Sequence, residues 1–191
     1  IDAMLSVERE NFVPSERREA AYVDGNLALS LGRVLLEPRT LAKMLDALNL
    51  QNDELVLDIG SGYGYSAAII AHIAQAVVAL EADEAMVADA QTVLSDAGAD
   101  SVIMNAGPLE AGVAEHGPYD VITIQGGVEE LPVAIIDQLK EGGRIATLFM
   151  TGALGEVRIG RKIDGQMNWR LAFNASAPVL PGFSKARDFA L

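Results

Sequence analysis

The chain of 191 residues contains no cysteine. Disulfides, thiolate zinc sites, iron–sulfur clusters and cysteine nucleophiles are therefore excluded together. Its two histidines, His72 and His116, cannot build a multi-histidine metal site alone, so no metal is expected. No run of about 18 apolar residues is free of charge, so no membrane span is expected. The start lacks a basic segment followed by an apolar run, so no signal peptide is visible. The chain opens at Ile1, without Met and in helix-like sequence, and part of the natural N-terminus is expected to lie upstream. Lack of cysteine suits a cytoplasmic protein, which is the expected location.

The most informative absence is positive charge. Residues 44–139 hold 16 acidic side chains and no Lys or Arg. Nucleic-acid binding draws mainly on Lys and Arg contacts to phosphate, so this half-chain is a poor nucleic-acid surface. It equally disfavours ligands whose phosphates need a basic clamp and favours a cationic one. Most of the acids are read as a solvated face; Asp58 and Glu81 are treated separately below.

What is present fits one domain, with a core that buries roughly 70% of the unfolded surface. Half of the residues are hydrophobic. Residues 2–22 read as broken helix, interrupted by Pro14 with Ser15 as N-cap. Pro38 suits the first position of a helix over 39–50, whose Leu41, Met44, Leu45 and Leu48 recur at helical spacing. Short apolar runs then alternate with helical segments. Strands are expected at 55–59, 76–80, 101–104, 119–124 and 144–149, and helices at 66–73, 84–94 and 132–139. Gly142-Gly143 is read as a turn. Two more strands, 157–162 and 169–173, flank an Asp164-Gly165 turn. This order implies an α/β fold: a Rossmann-like, doubly wound, mostly parallel sheet with an antiparallel C-terminal hairpin. The expected division is a helical cap over 1–50, a cofactor-binding core over 51–150 and the antiparallel strands over 151–191.

In such a sheet ligands bind beyond the carboxyl ends of the strands, where strand order reverses. The run Asp58-Ile59-Gly60-Ser61-Gly62-Tyr63-Gly64-Tyr65 sits at the first such end. Its glycines permit a tight turn and close approach of a ligand, and a helix N-terminus follows. A dinucleotide site wants a small residue at the place held by Tyr65. The carboxylate of Asp58 would repel a pyrophosphate but suits an ammonium group. S-adenosylmethionine carries an α-ammonium and a sulfonium and no phosphate. An NAD-dependent oxidoreductase is thereby disfavoured. Glu81, which ends the second strand, can accept from both ribose hydroxyls, with capping of the next helix as its plainer role. Tyr63 and Tyr65 either line the cofactor mouth or pack in the core. His72, between apolar neighbours, is read as structural, and Trp169 as a packing residue of the hairpin.

These residues resemble the protein-L-isoaspartate O-methyltransferases, a branch of the class I S-adenosylmethionine-dependent methyltransferases. The resemblance runs from Ile1 to about Gly143. It rests on Phe12-Val13-Pro14 with Arg17, Ala21-Tyr22-Val23-Asp24, Leu57 to Ala68, Val78 to Glu81, Gly117-Pro118-Tyr119-Asp120, and Gln138-Leu139-Lys140 before Gly142-Gly143-Arg144. It implies methylation of the α-carboxylate of isoaspartyl residues, hence protein repair, with a protein or peptide carboxylate as partner. It implies a cofactor site of Asp58, Gly60, Ser61, Gly62, Tyr63, Tyr65, Glu81, Ala82, Gly107, Pro108, Leu109, Gln125 and Gly126. Three departures stand out. Leu36 occupies the place of the family's T-I-S-x-P serine and cannot hydrogen-bond a carboxylate. Gly107-Pro108-Leu109 replaces a G-D-G that contacts the adenine. Gln125-Gly126-Gly127 replaces small residues after the fourth strand. Glu37, beside Leu36, is a candidate for orienting cofactor or substrate. The alternative reading is a homologue with lost or altered activity, methylating another acceptor or serving as a cofactor-binding regulatory module. Oligomeric state is not legible, and a monomer is the default expectation.

Overall fold

A computed structural model describes residues 1–30 and 32–186. The centre is a seven-stranded sheet. Its strands are β3 (Leu55–Ile59), β4 (Ala76–Glu81), β5 (Val102–Ala106), β6 (Tyr119–Val128), β7 (Leu139–Thr151), β8 (Leu154–Ile163) and β9 (Gln166–Asn174). They lie in the order β5-β4-β3-β6-β7-β8-β9. The first five are parallel; β8 and β9 add antiparallel. Strand order reverses between β3 and β6, which puts the ligand-binding crevice of the doubly wound fold at their carboxyl ends.

Side-chain alternation feeds two cores. Val56, Val77, Ala79 and Val121 face one side. There they pack under α1 (Asp2–Ser6), α2 (Pro38–Leu48), α3 (Tyr65–Ala71) and α4 (Glu84–Asp96). Leu57, Ile59, Val78, Leu80 and Ile122 face the other side, against α5 (Val133–Asp137) and the C-terminal segment through Leu180 and Phe183. Both faces are covered, which is why β3 and β4 read as nearly continuous apolar runs.

Local signals explain the helix ends. Pro38 is at the first turn of α2, and Asn49 closes it in the left-handed region at φ 50°. The Asp83 carboxylate accepts from the Met86 amide at 2.7 Å and caps α4. The Asp164-Gly165 turn has φ 53° and 73°, as a two-residue hairpin with a primed turn requires.

Several expectations need correction. Ser15 is no N-cap: it lies inside a 3-10 segment, Ser15–Ala20, and its hydroxyl meets only Glu16. The N-terminal cap also contains a small antiparallel pair, β1 (Leu27–Ala28) with β2 (Val34–Leu35), too short to show a period in the sequence. Gln125-Gly126-Gly127 lies within β6, not after it, because β6 bulges between Thr123 and Gly127 and continues. Gly142-Gly143 does not reverse the chain. It is an irregularity within β7, which runs from Leu139 to Thr151. His72, read as structural between apolar neighbours, is instead exposed at the C-cap of α3.

Candidate functional site

Period-two alternation places Asp58 of β3 on the same face as Val56, and the carboxylate ends fully buried. It accepts from the Ser66 hydroxyl at 2.5 Å and from Gln125 Nε2 at 2.7 Å. Ser66 comes from α3 and Gln125 from β6, so this carboxylate ties together the elements on either side of the glycine turn. Burial pushes its pKa up to about 6; the bonds from Ser66 and Gln125 act in the opposite direction, and the nearby Glu81 charge adds to the rise.

Glu81 ends β4 and is also fully buried. Arg33 Nε lies 3.2 and 3.3 Å from its two oxygens, and Arg33 Nη2 lies 3.0 Å from Oε2. The Gly62 amide donates to Oε2 at 2.9 Å and the Ala82 amide to Oε1 at 2.8 Å. Arg33 Nη2 also donates to the Gly60 carbonyl at 2.5 Å. A guanidinium thus seals the turn and the acid beside it. Arg33 Nη1 and the Ser61 hydroxyl are buried with no hydrogen-bond partner among the described residues.

The glycines Gly60, Gly62 and Gly64 all have positive φ, which keeps the turn tight. A side chain at Gly60 would collide with the Arg33 guanidinium, and one at Gly126 would collide with Leu180. Leu180 therefore fills the crevice between the ends of β3 and β6. Its segment is held by the Gly127 amide donating to Pro178 O at 2.8 Å and the Leu180 amide donating to Gly127 O at 2.9 Å. Beyond it, Phe183 is fully buried and its carbonyl accepts from the Glu129 amide at 2.9 Å.

The structure brings Asp58, Gly60, Ser61, Gly62, Glu81, Ala82, Gln125 and Gly126 together around this turn. Gly107 joins them through its amide, which donates to Glu81 O at 3.1 Å. Pro108 is exposed on the following loop, and Leu109 points into the core beneath β4 and β6. Tyr65 also lies in the core: its ring packs on Phe12 at 5.7 Å and under Arg9 at 4.9 Å. Tyr63 is half-buried against the same core. Leu36 is only 2% exposed, and its carbonyl accepts from Arg9 Nη2 at 2.8 Å. Glu37 accepts from the Thr40 hydroxyl at 3.0 Å and lines a separate cavity of about 520 Å³ with Asn26, Leu154 and Asn174.

Arg33 is the residue that sequence reasoning missed. The signal was in the charge arithmetic: residues 44–139 carry no positive charge, so an ion pair for a buried acid there had to come from outside the segment.

The acceptor set suits an adenosyl amino acid in kind: one buried carboxylate for an ammonium, a second for a ribose diol, and a glycine turn between them. As arranged, the residues do not admit that group. Arg33 holds the second carboxylate, Gln125 covers the first, and Leu180 fills the crevice.

Comparison with known proteins follows the same line. The family described as Protein-L-isoaspartate(D-aspartate) O-methyltransferase (PCMT) matches residues 1–164. A protein-L-isoaspartate O-methyltransferase 2 of Anaeromyxobacter sp. is 36% identical over 159 residues, covering 83% of this chain and 65% of the relative. A solved protein-L-isoaspartate O-methyltransferase superposes with TM-score 0.82 at 26% identity, over 95% of this chain and 60% of that one. A Plasmodium falciparum structure, provisionally assigned as a protein-L-isoaspartate O-methyltransferase and in complex with S-adenosyl-L-homocysteine, superposes at 0.80 over 94% and 88%. At 21% identity that last likeness speaks to the fold alone. The chain spans less than two thirds of the length of the first curated relatives it matches.

Proposed function

Because the chain belongs to the protein-L-isoaspartate(D-aspartate) O-methyltransferase family, we propose that it is an S-adenosylmethionine-dependent methyltransferase acting on the carboxylate of isoaspartyl residues in proteins or peptides. One observation carries this reading. Two buried carboxylates, Asp58 and Glu81, lie at the carboxyl ends of the adjacent parallel strands β3 and β4, flanking the glycine turn beside the reversal of strand order at β3 and β6. In this reading Asp58 receives the ammonium of the cofactor and Glu81 its ribose hydroxyls, with Gly60, Gly62 and Gly126 providing backbone clearance. Both acids are paired within the chain, so the reading requires Arg33, Gln125 and Leu180 to withdraw.

The absence of Lys and Arg from residues 44–139 argues against a nucleic acid as partner. Among the described residues no helix is long and apolar enough to cross a membrane. We place the protein in the cytoplasm as a monomer.

The test is transfer of labelled methyl from S-adenosylmethionine to an isoaspartyl peptide, with the matching aspartyl peptide as control. Label on the isoaspartyl peptide alone supports the reading. A second reading, a homologue with a different acceptor, draws on the burial of Leu36 where the family has serine. It would be favoured by cofactor binding without transfer to either peptide.

A further inference from the structure

We infer that Arg33 is an internal ligand of the nucleoside subsite, so that a diol-bearing ligand binds only by displacing it from Glu81. The inference rests on the functional reading above and deepens it at the same site.

A carboxylate offers about four lone-pair positions. Glu81 already receives three contacts from Arg33, one from the Gly62 amide and one from the Ala82 amide. Nothing remains for a pair of ribose hydroxyls. The two backbone donors belong to the rigid turn and to β4's end. Arg33 alone comes from a distant element, the connection between β1 and β2, and can leave without breaking the sheet. It is also the group in the way, since its Nη2 sits on the Gly60 carbonyl at 2.5 Å.

The ion pair resists this exchange. Arg33 and Glu81 side chains are 3% and 1% exposed, so separating them without a replacement strands a buried charge. Arg33 nevertheless keeps one nitrogen, Nη1, buried and without a partner among the described residues, so its site is incompletely satisfied. A ligand that supplies hydroxyls to Glu81 replaces part of what Arg33 provided. The closed arrangement also includes Leu180, whose segment lies beyond the 164 residues that the family model matches. Arg33 and Leu180 together make a closed state whose population sets the apparent affinity. When the competent state is a minor one, at 0.1–10%, apparent affinity falls by about tenfold to a thousandfold.

The experiment is calorimetric titration of S-adenosylhomocysteine into the wild-type chain, Arg33→Gln and Leu180→Ala. It is paired with NMR observation of the Arg33 side-chain Nε–H in the wild type. We expect each variant to bind at least about tenfold more tightly than the wild type. We also expect the Arg33 Nε–H resonance to shift and lose exchange protection as ligand is added. The NMR arm needs no variant and holds if Arg33→Gln fails to fold. Equal, tight binding by all three proteins with an unmoved Arg33 signal overturns the inference while leaving the functional reading intact. Absence of binding by all three proteins overturns both.

Discussion

Asp58 gives the most direct physical prediction. Its carboxylate is fully buried, and burial raises its pKa from an ordinary 3.8 to about 6. A raised folded-state pKa means that the native protein holds the proton more tightly than the unfolded chain does. The stabilisation it gives is fully present below pH 3.8 and is lost as pH rises through about 6. At pH 8 the whole rise from 3.8 to about 6 is expressed, a penalty of about 3 kcal/mol. At pH 4.5 the same linkage leaves only about 1 kcal/mol. Asp58→Asn removes this titration and leaves all others in place. Denaturant unfolding of both proteins at pH 4.5 and 8 should therefore show the variant gaining about 2 kcal/mol relative to wild type on going to the higher pH. The absolute difference at either pH also contains the altered hydrogen bonds to Ser66 and Gln125, but the change between them does not, to first order. A difference independent of pH, or one that grows toward acid, would refute the claim that burial dominates over the Ser66 and Gln125 bonds.

Other perturbations test the surrounding structure. Leu36→Ser should cost about 2–4 kcal/mol in thermal or chemical unfolding, because it empties a core position. Arg144 forks onto Glu54 at 2.7 and 2.9 Å and donates from Nε to the last carbonyls of α2, at Leu48 O, 2.7 Å. Arg144→Ala should lose about 2–3 kcal/mol, and Arg144→Lys should recover less than half, since lysine lacks the fork. Asp83→Ala should lose about 1 kcal/mol and show faster amide exchange in the first turn of α4.

The parts of the fold legible in the sequence are those governed by local rules. β3 and β4 announce themselves as apolar runs closed by a charge or a glycine, and α2 by its periodic leucines after Pro38. Asp58, Glu81 and the glycine turn follow from their places at strand ends, which local patterning fixes. What local patterning misses is set by partners distant along the chain. The extension of β6 through Gly126 and Gly127 depends on the bulge against β7 and on the bridge to Val179, while glycine on its own signals a turn. Arg33 pairs with a residue 48 positions away, and no spacing rule reaches so far. Tyr65 sits in the glycine-rich run, yet the first turn of α3 aims its ring at Phe12 and Arg9. Its position in the motif and its direction in space are separate questions.

The central claim concerns which ligand belongs between Asp58 and Glu81. A crystal structure of the Arg33→Gln chain grown with S-adenosylhomocysteine addresses it directly. The account predicts the ligand's amino group on the Asp58 carboxylate, both ribose hydroxyls on Glu81, and Leu180 moved off Gly60 and Gly126. Ligand bound elsewhere on the protein, with the glycine turn still closed over by Leu180, would contradict it.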